Sequence, residues 1–259
     1  MSGQAARNIG QVADVVRPAP TQAEYVIAQA AKEAGIERKR YPVRLLVTGG
    51  TGVLGRAFLP LAEAEGHQVS APGRTGLDLF DPAAVGAAMG GVDAVLHLAT
   101  RIQPLEKMRQ PEAWRENDRL RAEASAILVG AALAAEVKAY IQPTVTFVYP
   151  DGQPASEETP VRQDVPVILR SALAAEEQAA RFAAAGRHGV VLRLGLLDGP
   201  GTGHDQPKPA LGASLHTEDA GRALLASLTV PSGIYNVCRD GERVSNHRFA
   251  EAAWWRPLR

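Results

Sequence analysis

The sequence predicts an α/β protein built on a doubly wound parallel sheet, with a helical extension ahead of it and a reduced region after it. Three observations carry that prediction. A short apolar, β-branched run, Val43–Thr48, leads into clustered glycines and then into an amphipathic stretch. Strand-like apolar runs recur down the chain, separated by segments of helical period. Alanine is abundant, which suits thin, closely packed helices. With 259 residues the chain can bury a sizeable core in one such domain.

Residues 1–20 read as a flexible segment without the apolar core of a secretion signal. Thr21 and Glu24 stand at capping-box spacing and predict a helix to about Ala34, stopped by Gly35. We divide the chain into this extension, residues 1–42, and a main domain, residues 43–259.

The main domain opens on the stretch that organises it. Gly49, Gly50, Gly52 and Gly55 satisfy two overlapping glycine patterns between a strand and a helix. One glycine is needed for the tight turn, one for close approach of a pyrophosphate to the backbone, and one for a helix lying close on the strand. The free N–H groups and positive dipole end of that helix suit phosphates. A Rossmann-type dinucleotide site is therefore expected here, with Thr51, Val53 and Leu54 contributing beside the glycines.

The first helix is expected to run to about Glu65, bending locally at Pro60. Gly66–Ala71 is the second strand, and it exits through Pro72-Gly73-Arg74. An acid at this exit binds the 2′-hydroxyl of NAD, whereas an arginine accommodates the 2′-phosphate of NADP. Gly73 and Arg74 lie here without a carboxylate, so NADP is expected, with NAD the less favoured cofactor. Leu77-Asp78-Leu79 reads as a third strand, placing Asp78 and Leu79 near the adenine.

Asp81-Pro82 opens a short helix to about Met89. Residues 93–100 form the fourth strand. Leu98, Ala99 and Thr100 at its carboxyl end are expected beside the cofactor, and His97 is expected as a hydrogen-bonded core residue. Arg101–Gln110 is polar and basic and suits a pocket wall. A long helix then runs from about Pro111 to Glu136. Its Arg115, Arg119 and Arg121 read as a solvated face, with Arg121 a candidate for the cofactor cleft. Residues 138–149 hold the fifth strand and its exit, and 150–166 a proline-bearing stretch. The next helix spans about 169–185 with Glu176, Glu177 and Arg181 outward. Val190–Leu194 is the sixth strand. The loop 198–212, rich in glycine and proline, carries His204 and Asp205. A helix capped at His216–Asp219 and a last strand, 233–237, follow. Phe249–Trp255 reads as a packing patch.

Lys+Arg and Asp+Glu both total 28, so the formal net charge is zero and nothing calls for a nucleic-acid or anionic-membrane partner. A single cysteine, Cys238, excludes an intrachain disulfide and suits a reducing compartment. No apolar run is long enough to span a bilayer. A cytoplasmic protein acting on a small-molecule substrate is the expectation.

Taken together, Thr48–Gly55, Gly66–Val69, Asp93–Ala99, Val148-Tyr149, Ser171–Glu176, Leu192–Gly195, His216–Asp219, Ile234–Val237 and Ser245-Asn246 stand in a familiar order. The chain resembles the NAD(P)-dependent epimerase/dehydratase family, the extended short-chain dehydrogenases/reductases, over roughly residues 43–250. The resemblance implies hydride transfer with a Tyr-x-x-x-Lys pair and a hydroxyl residue; the lysine lowers the tyrosine pKa for proton shuttling. Here Ile168 and Ala172 stand at the tyrosine and lysine positions, Val145 at the hydroxyl position, and Arg121 where an asparagine is expected. The stretch between Gly201 and His216 is much shorter than the family's substrate-binding insert. The cofactor half of the pattern is present and the proton-transfer half is not, as in the atypical members of the family. Thr144, Thr146 and Tyr149 are then the candidates for a rearranged relay, Thr144 and Tyr149 foremost. Dimerisation is common in the family, so a homodimer is an expectation.

Three functions follow: an atypical oxidoreductase acting on a small carbonyl or hydroxyl compound; a non-catalytic NADP(H) sensor or scaffold; or a non-redox cyclase or lyase using the same cleft, with His204, Asp205 and Arg101 as candidates.

Overall fold

Strand residues alternate between two apolar layers, and that alternation builds the molecule. The computed structural model describes residues 43–259, apart from 104–106, 108–109 and 209–211. The helix expected up to Ala34, and with it the extension 1–42, lies outside the described residues.

Six parallel strands form the central sheet in the order β2-β1-β3-β4-β5-β8. They are β1 (Arg44–Thr48), β2 (Gln68–Ser70), β3 (Ala94–His97), β4 (Ala139–Val145), β5 (His188–Leu194) and β8 (Gly233–Val237). Leu45 and Val47 of β1 point into one layer with Leu96, Ile141 and Leu192. Leu46 points into the other with Val95, Tyr140 and Val191. A parallel sheet buried on both faces needs this two-sided apolar pattern.

Helices α1 (Val53–Ala64) and α6 (Thr217–Ala226) cover the first layer through Phe58, Ala62, Ala220 and Leu224. They touch backbone to backbone: a Cβ on Gly221 would stand 2.5 Å from the Ala57 carbonyl oxygen. The second layer is covered by α2 (Pro82–Ala88), α4 (Ser125–Ala134) and α5 (Val167–Ala184) through Val85, Leu128 and Phe182. Pro60 lies within α1 without ending it. Its ring sits on the exposed side, where water can serve the carbonyl left without an N–H. After β8, helix α7 (His247–Ala253) brings Phe249 edge-on between Tyr235 and Trp255, so Phe249 and Trp255 pack as expected, while Trp254 stays exposed.

Three expectations are corrected. Leu77–Leu79 is not a strand; it continues the turn in which the Leu77 N–H bonds the Gly73 carbonyl. Asp78 Oδ1 accepts from the Phe80 N–H at 2.9 Å, a local side-chain bond that competes with a sheet ladder. The sheet therefore ends at β2.

The helix expected from Pro111 is not uniform. A 3₁₀ turn (Pro111–Trp114) leads into α3 (Arg115–Arg119), then a π turn (Leu120–Ala124), then α4. Finally, a small two-stranded parallel sheet, β6 (Leu196–Asp198) with β7 (Ser214–His216), was not expected. The Arg239 guanidinium grips the Asp198 carboxylate at its end.

Candidate functional site

The sheet order reverses between β1 and β3, and the glycine turn sits at that switch point, where open α/β sheets bind ligands. Gly49 has φ +73°, and a Cβ there would lie 2.6 Å from the Ala99 nitrogen. Gly49 is thus required both by the left-handed turn and by the end of β3. A Cβ on Gly55 would lie 2.3 Å from the Gly50 carbonyl oxygen, so α1 can lie on its own turn only with glycine there.

Gly52 differs from these two. Its Cβ position meets only the Gly49 carbonyl, at 3.1 Å, and the residue is exposed. It is also the N-cap of α1, and no side chain caps the helix. The first-turn N–H groups beside Thr51, Val53, Leu54 and Gly55 are therefore left for solvent or an anion. The residues fit a dinucleotide's diphosphate on this observation. Arg56 Nη1 donates to the Thr51 carbonyl at 2.8 Å and pins the outer rim of the turn. Gly201, in the loop after β6, lies against the same guanidinium.

On the β2 side Arg74 is 68% exposed and paired with Glu116 at 3.2 Å; Arg101 approaches the same carboxylate at 3.6 Å. Glu116, on α3, thus holds two arginines at the rim of the cleft. Asp78 and Leu79 lie in the turn beside them, Asp78 exposed and Leu79 against the second apolar layer.

At the carboxyl end of β3, Leu98 and Ala99 lie under Gly49. His97 is fully enclosed. Its Nε2 stands 2.9 Å from the Leu120 carbonyl oxygen and its Nδ1 2.7 Å from Thr48 Oγ1. The carbonyl can only accept, so Nε2 carries the hydrogen and Nδ1 accepts from the threonine. Thr48 Oγ1 in turn accepts from the Ala99 N–H at 3.3 Å. Burial pushes the His97 pKa down to about 4, so the ring is neutral at ordinary pH. The core role expected for His97 is the one observed.

The end of β4 differs from the glycine side. Thr144 Oγ1 donates to Glu176 Oε1 at 2.7 Å. Arg193 of β5 grips both oxygens of that carboxylate, at 2.9 and 2.6 Å. Its Nη1 donates to the Tyr149 hydroxyl at 2.8 Å, and Tyr149 donates to Asn236 Oδ1 at 2.9 Å. Glu157 Oε1 accepts from the Asn236 N–H at 2.7 Å. Burial holds the Tyr149 phenol above its ordinary pKa despite Arg193 beside it. Thr144 and Tyr149 are thus brought together, as members of one buried network.

Glu176 was expected to face outward and is buried instead, because Arg193 sits among the apolar residues of a central strand and a buried cation requires a counter-charge. That strand arginine, between Leu192 and Leu194, was the signal from which the pair could have been found. Ala172, at the expected lysine position on α5, is wholly buried. Arg115 and Arg119 are exposed, as a solvated face implies, whereas Arg121, the candidate for the cofactor cleft, is only 5% exposed, at the π turn next to Leu120. Asn117, one turn earlier, was missed: its Oδ1 accepts from the Arg101 N–H at 3.1 Å. His204, in the loop after β6, is held by an antiparallel backbone bridge to Gly199.

Residues 45–227 match the profile of the NAD dependent epimerase/dehydratase family. The chain belongs to that family. A 3-diazoavenalumate denitrifying reductase from Streptomyces sp is 32% identical over 250 residues, covering 83% of this chain and 80% of that protein. Among solved structures, RMD from Pseudomonas aeruginosa complexed with NADPH superposes with a TM-score of 0.64 at 21% identity, covering 84% of this chain and 93% of that one. The Bordetella bronchiseptica enzyme WbmH in complex with NAD+ gives 0.63 at 19%, covering 78% of each. These two likenesses establish the fold. Among the described residues no helix is long and apolar enough to cross a membrane, and no cluster of three or more metal-ligating side chains occurs.

Proposed function

We propose that this chain is an NADPH-dependent reductase that delivers hydride to a small-molecule electrophile needing no proton from a tyrosine–lysine pair. The observation that carries the reading is the contrast within the site. The glycine turn leaves its helix N-terminus uncapped, while Ile168 and Ala172 replace the proton-handling residues.

In this reading the backbone from Gly49 to Gly55 holds the diphosphate, and Leu98–Thr100 line the middle of the dinucleotide. Arg74 leaves Glu116 for a 2′-phosphate, and Asp78 and Leu79 border the adenine. Bound reduced nicotinamide supplies a hydride. Hydride addition to a carbonyl sends the C–O π electrons to oxygen, and the alkoxide must then be protonated. Reduction of an aromatic diazonium group makes no such demand. Its hydride becomes the new C–H bond, the C–N bond pair leaves with N2, and the atoms and charge balance without a further proton. A chain without the relay suits the second chemistry. The name of the Streptomyces relative's substrate, a diazo compound and an organic anion, agrees with it.

A second reading keeps a carbonyl or hydroxyl substrate, with Thr144 and Tyr149 as the proton-handling pair. Their place at the end of β4 favours it, and it requires Tyr149 to release Arg193 or Asn236. The division into an extension and a main domain, a homodimer and a cytoplasmic location belong to the same proposal, and no feature of the described residues is needed for them.

The test is enzyme-dependent NADPH consumption against aryl diazonium and aryl ketone or aldehyde panels, with N2 release followed by isotope label. Diazonium turnover with label in N2 is the expected result. Carbonyl turnover abolished by Tyr149→Phe would replace it with the second reading. Tight NADPH binding without turnover of any compound would leave a sensor or scaffold.

A further inference from the structure

Arg121 is a buried cation that the protein does not use for itself. Among the described residues none of its side-chain nitrogens donates a hydrogen bond, and no carboxylate lies within ion-pair distance of it. Its Nε is buried without a partner. A guanidinium carries five donors in a fixed fork, so leaving the buried Nε idle and the other nitrogens without a protein partner is costly. Burial does lower its pKa, to about 10, which still leaves it charged at neutral pH.

The nearest acids do not explain it. Asp118 and Glu176 both act on Arg121 through space, but each is engaged elsewhere. Asp118 Oδ1 accepts from Ser171 Oγ at 2.7 Å, and Glu176 is held by Arg193 and Thr144. Ser171 and Glu176 bracket Ala172 on α5. Arg121 therefore faces the stretch of α5 that lacks the family's lysine, from the π turn whose Leu120 carbonyl is bonded by His97 at the end of β3. That places it close to the carboxyl end of β3, buried rather than on a surface, on the side of the sheet where open α/β folds bind ligands.

We propose that Arg121 is the receptor for a carboxylate of the substrate. A planar fork matches a planar carboxylate with two parallel bonds, and a dry site makes that pairing strong. The substrate would then be an organic acid, oriented by its anionic end with the electrophilic end toward the nicotinamide. The inference rests on the reductase reading for the electrophilic end, but not for the carboxylate itself. The fork could also take a phosphate oxygen of the dinucleotide, and the experiment separates the two sources.

The full chain and its Arg121→Gln and Arg121→Lys variants are titrated by calorimetry with benzoate, benzamide, inorganic phosphate and NADPH. Benzoate is tested with and without NADP+, so that a failure of nucleotide binding, which would sink the reductase reading, still leaves the carboxylate test standing. Benzoate should bind the wild type and benzamide should not. Arg121→Gln should weaken benzoate binding about tenfold or more, Arg121→Lys should fall between, and NADPH affinity should stay within about threefold. The same variants are melted without ligand. Arg121→Gln should melt no lower than the wild type, because it removes an unpaired buried charge. A melting point several degrees lower would make Arg121 a structural residue and overturn the proposal. Absence of benzoate binding to the wild type would overturn it too. So would phosphate binding in place of benzoate, or a tenfold loss of NADPH affinity in Arg121→Gln; either would assign the fork to the cofactor.

Discussion

The two ends of the cleft handle their polar groups in opposite ways. At the glycine turn, α1 starts at Gly52 without a cap and its first N–H groups have no side chain to meet. At the ends of β4 and β5, Thr144, Glu176, Arg193, Tyr149 and Asn236 bond one another in a chain of contacts from 2.6 to 2.9 Å, with Asn236 Nδ2 the one buried atom of the set left without a partner. An open set of donors is poised for a ligand, while a closed set is poised to hold the fold. In the proposed reading the cofactor end keeps its binding character, and the catalytic end serves the fold. Arg121, outside that network, is the buried cation left without a protein partner among the described residues.

The comparison breaks first at Glu176. Glu176→Ala leaves Arg193 buried without its counter-charge and should cost about 3–5 kcal/mol in urea unfolding. A loss of less than about 1 kcal/mol would mean that the network is not closed and that its groups are free for substrate.

His97 gives the next largest effect. Its folded pKa of about 4 lies below the ordinary 6.5, so the unfolded chain binds more protons between those values. Stability should be full above pH 6.5 and fall as pH drops toward 4, by about 3 kcal/mol from this residue. The difference between wild type and His97→Asn across that window isolates it. A pH-independent difference would place the charge change elsewhere.

Gly52→Ala sharpens the open end. The new methyl meets only the Gly49 carbonyl, so stability should change by no more than about 1 kcal/mol. NADPH affinity should nevertheless fall about tenfold or more, because that methyl occupies the ligand's approach to the backbone. Calorimetry and a thermal melt on the same sample separate the two effects. Loss of stability with unchanged affinity would mean that the turn serves the fold alone.

The smallest effect is at Arg74. It is exposed and held only by Glu116, so Arg74→Ala should leave the melting point within about a degree. Its NADPH affinity should drop severalfold to about tenfold, with NADH affinity unchanged. Equal losses for both nucleotides would remove the 2′-phosphate from its role.

Much of the fold was legible in local pattern. Val43–Thr48 with its glycines needed no distant partner to be read, because turn sterics and strand periodicity are properties of neighbouring residues. Gly49 and Gly55 proved necessary for the reasons that the spacing implied, although the backbone atoms they avoid, on Ala99 and Gly50, could only be found in space. Leu77–Leu79 was misread because three alternating residues suit a strand, while one Asx bond from Asp78 suffices to keep them in a turn. Glu176 was misread because helical period alone counts a charge as outward.

The chain's own order of residues decided the doubly wound architecture, the glycine turn and the absence of a tyrosine–lysine pair, since each depends on short-range spacing or plain residue identity. Only the tertiary structure decided that Arg193 claims Glu176, that Tyr149 is tied on both sides, and that Arg121 turns inward at a π turn with nothing to hold. Those are pairings between residues up to 87 positions apart, as with Tyr149 and Asn236. A charge buried by the fold must find its partner across that distance or wait for one from outside.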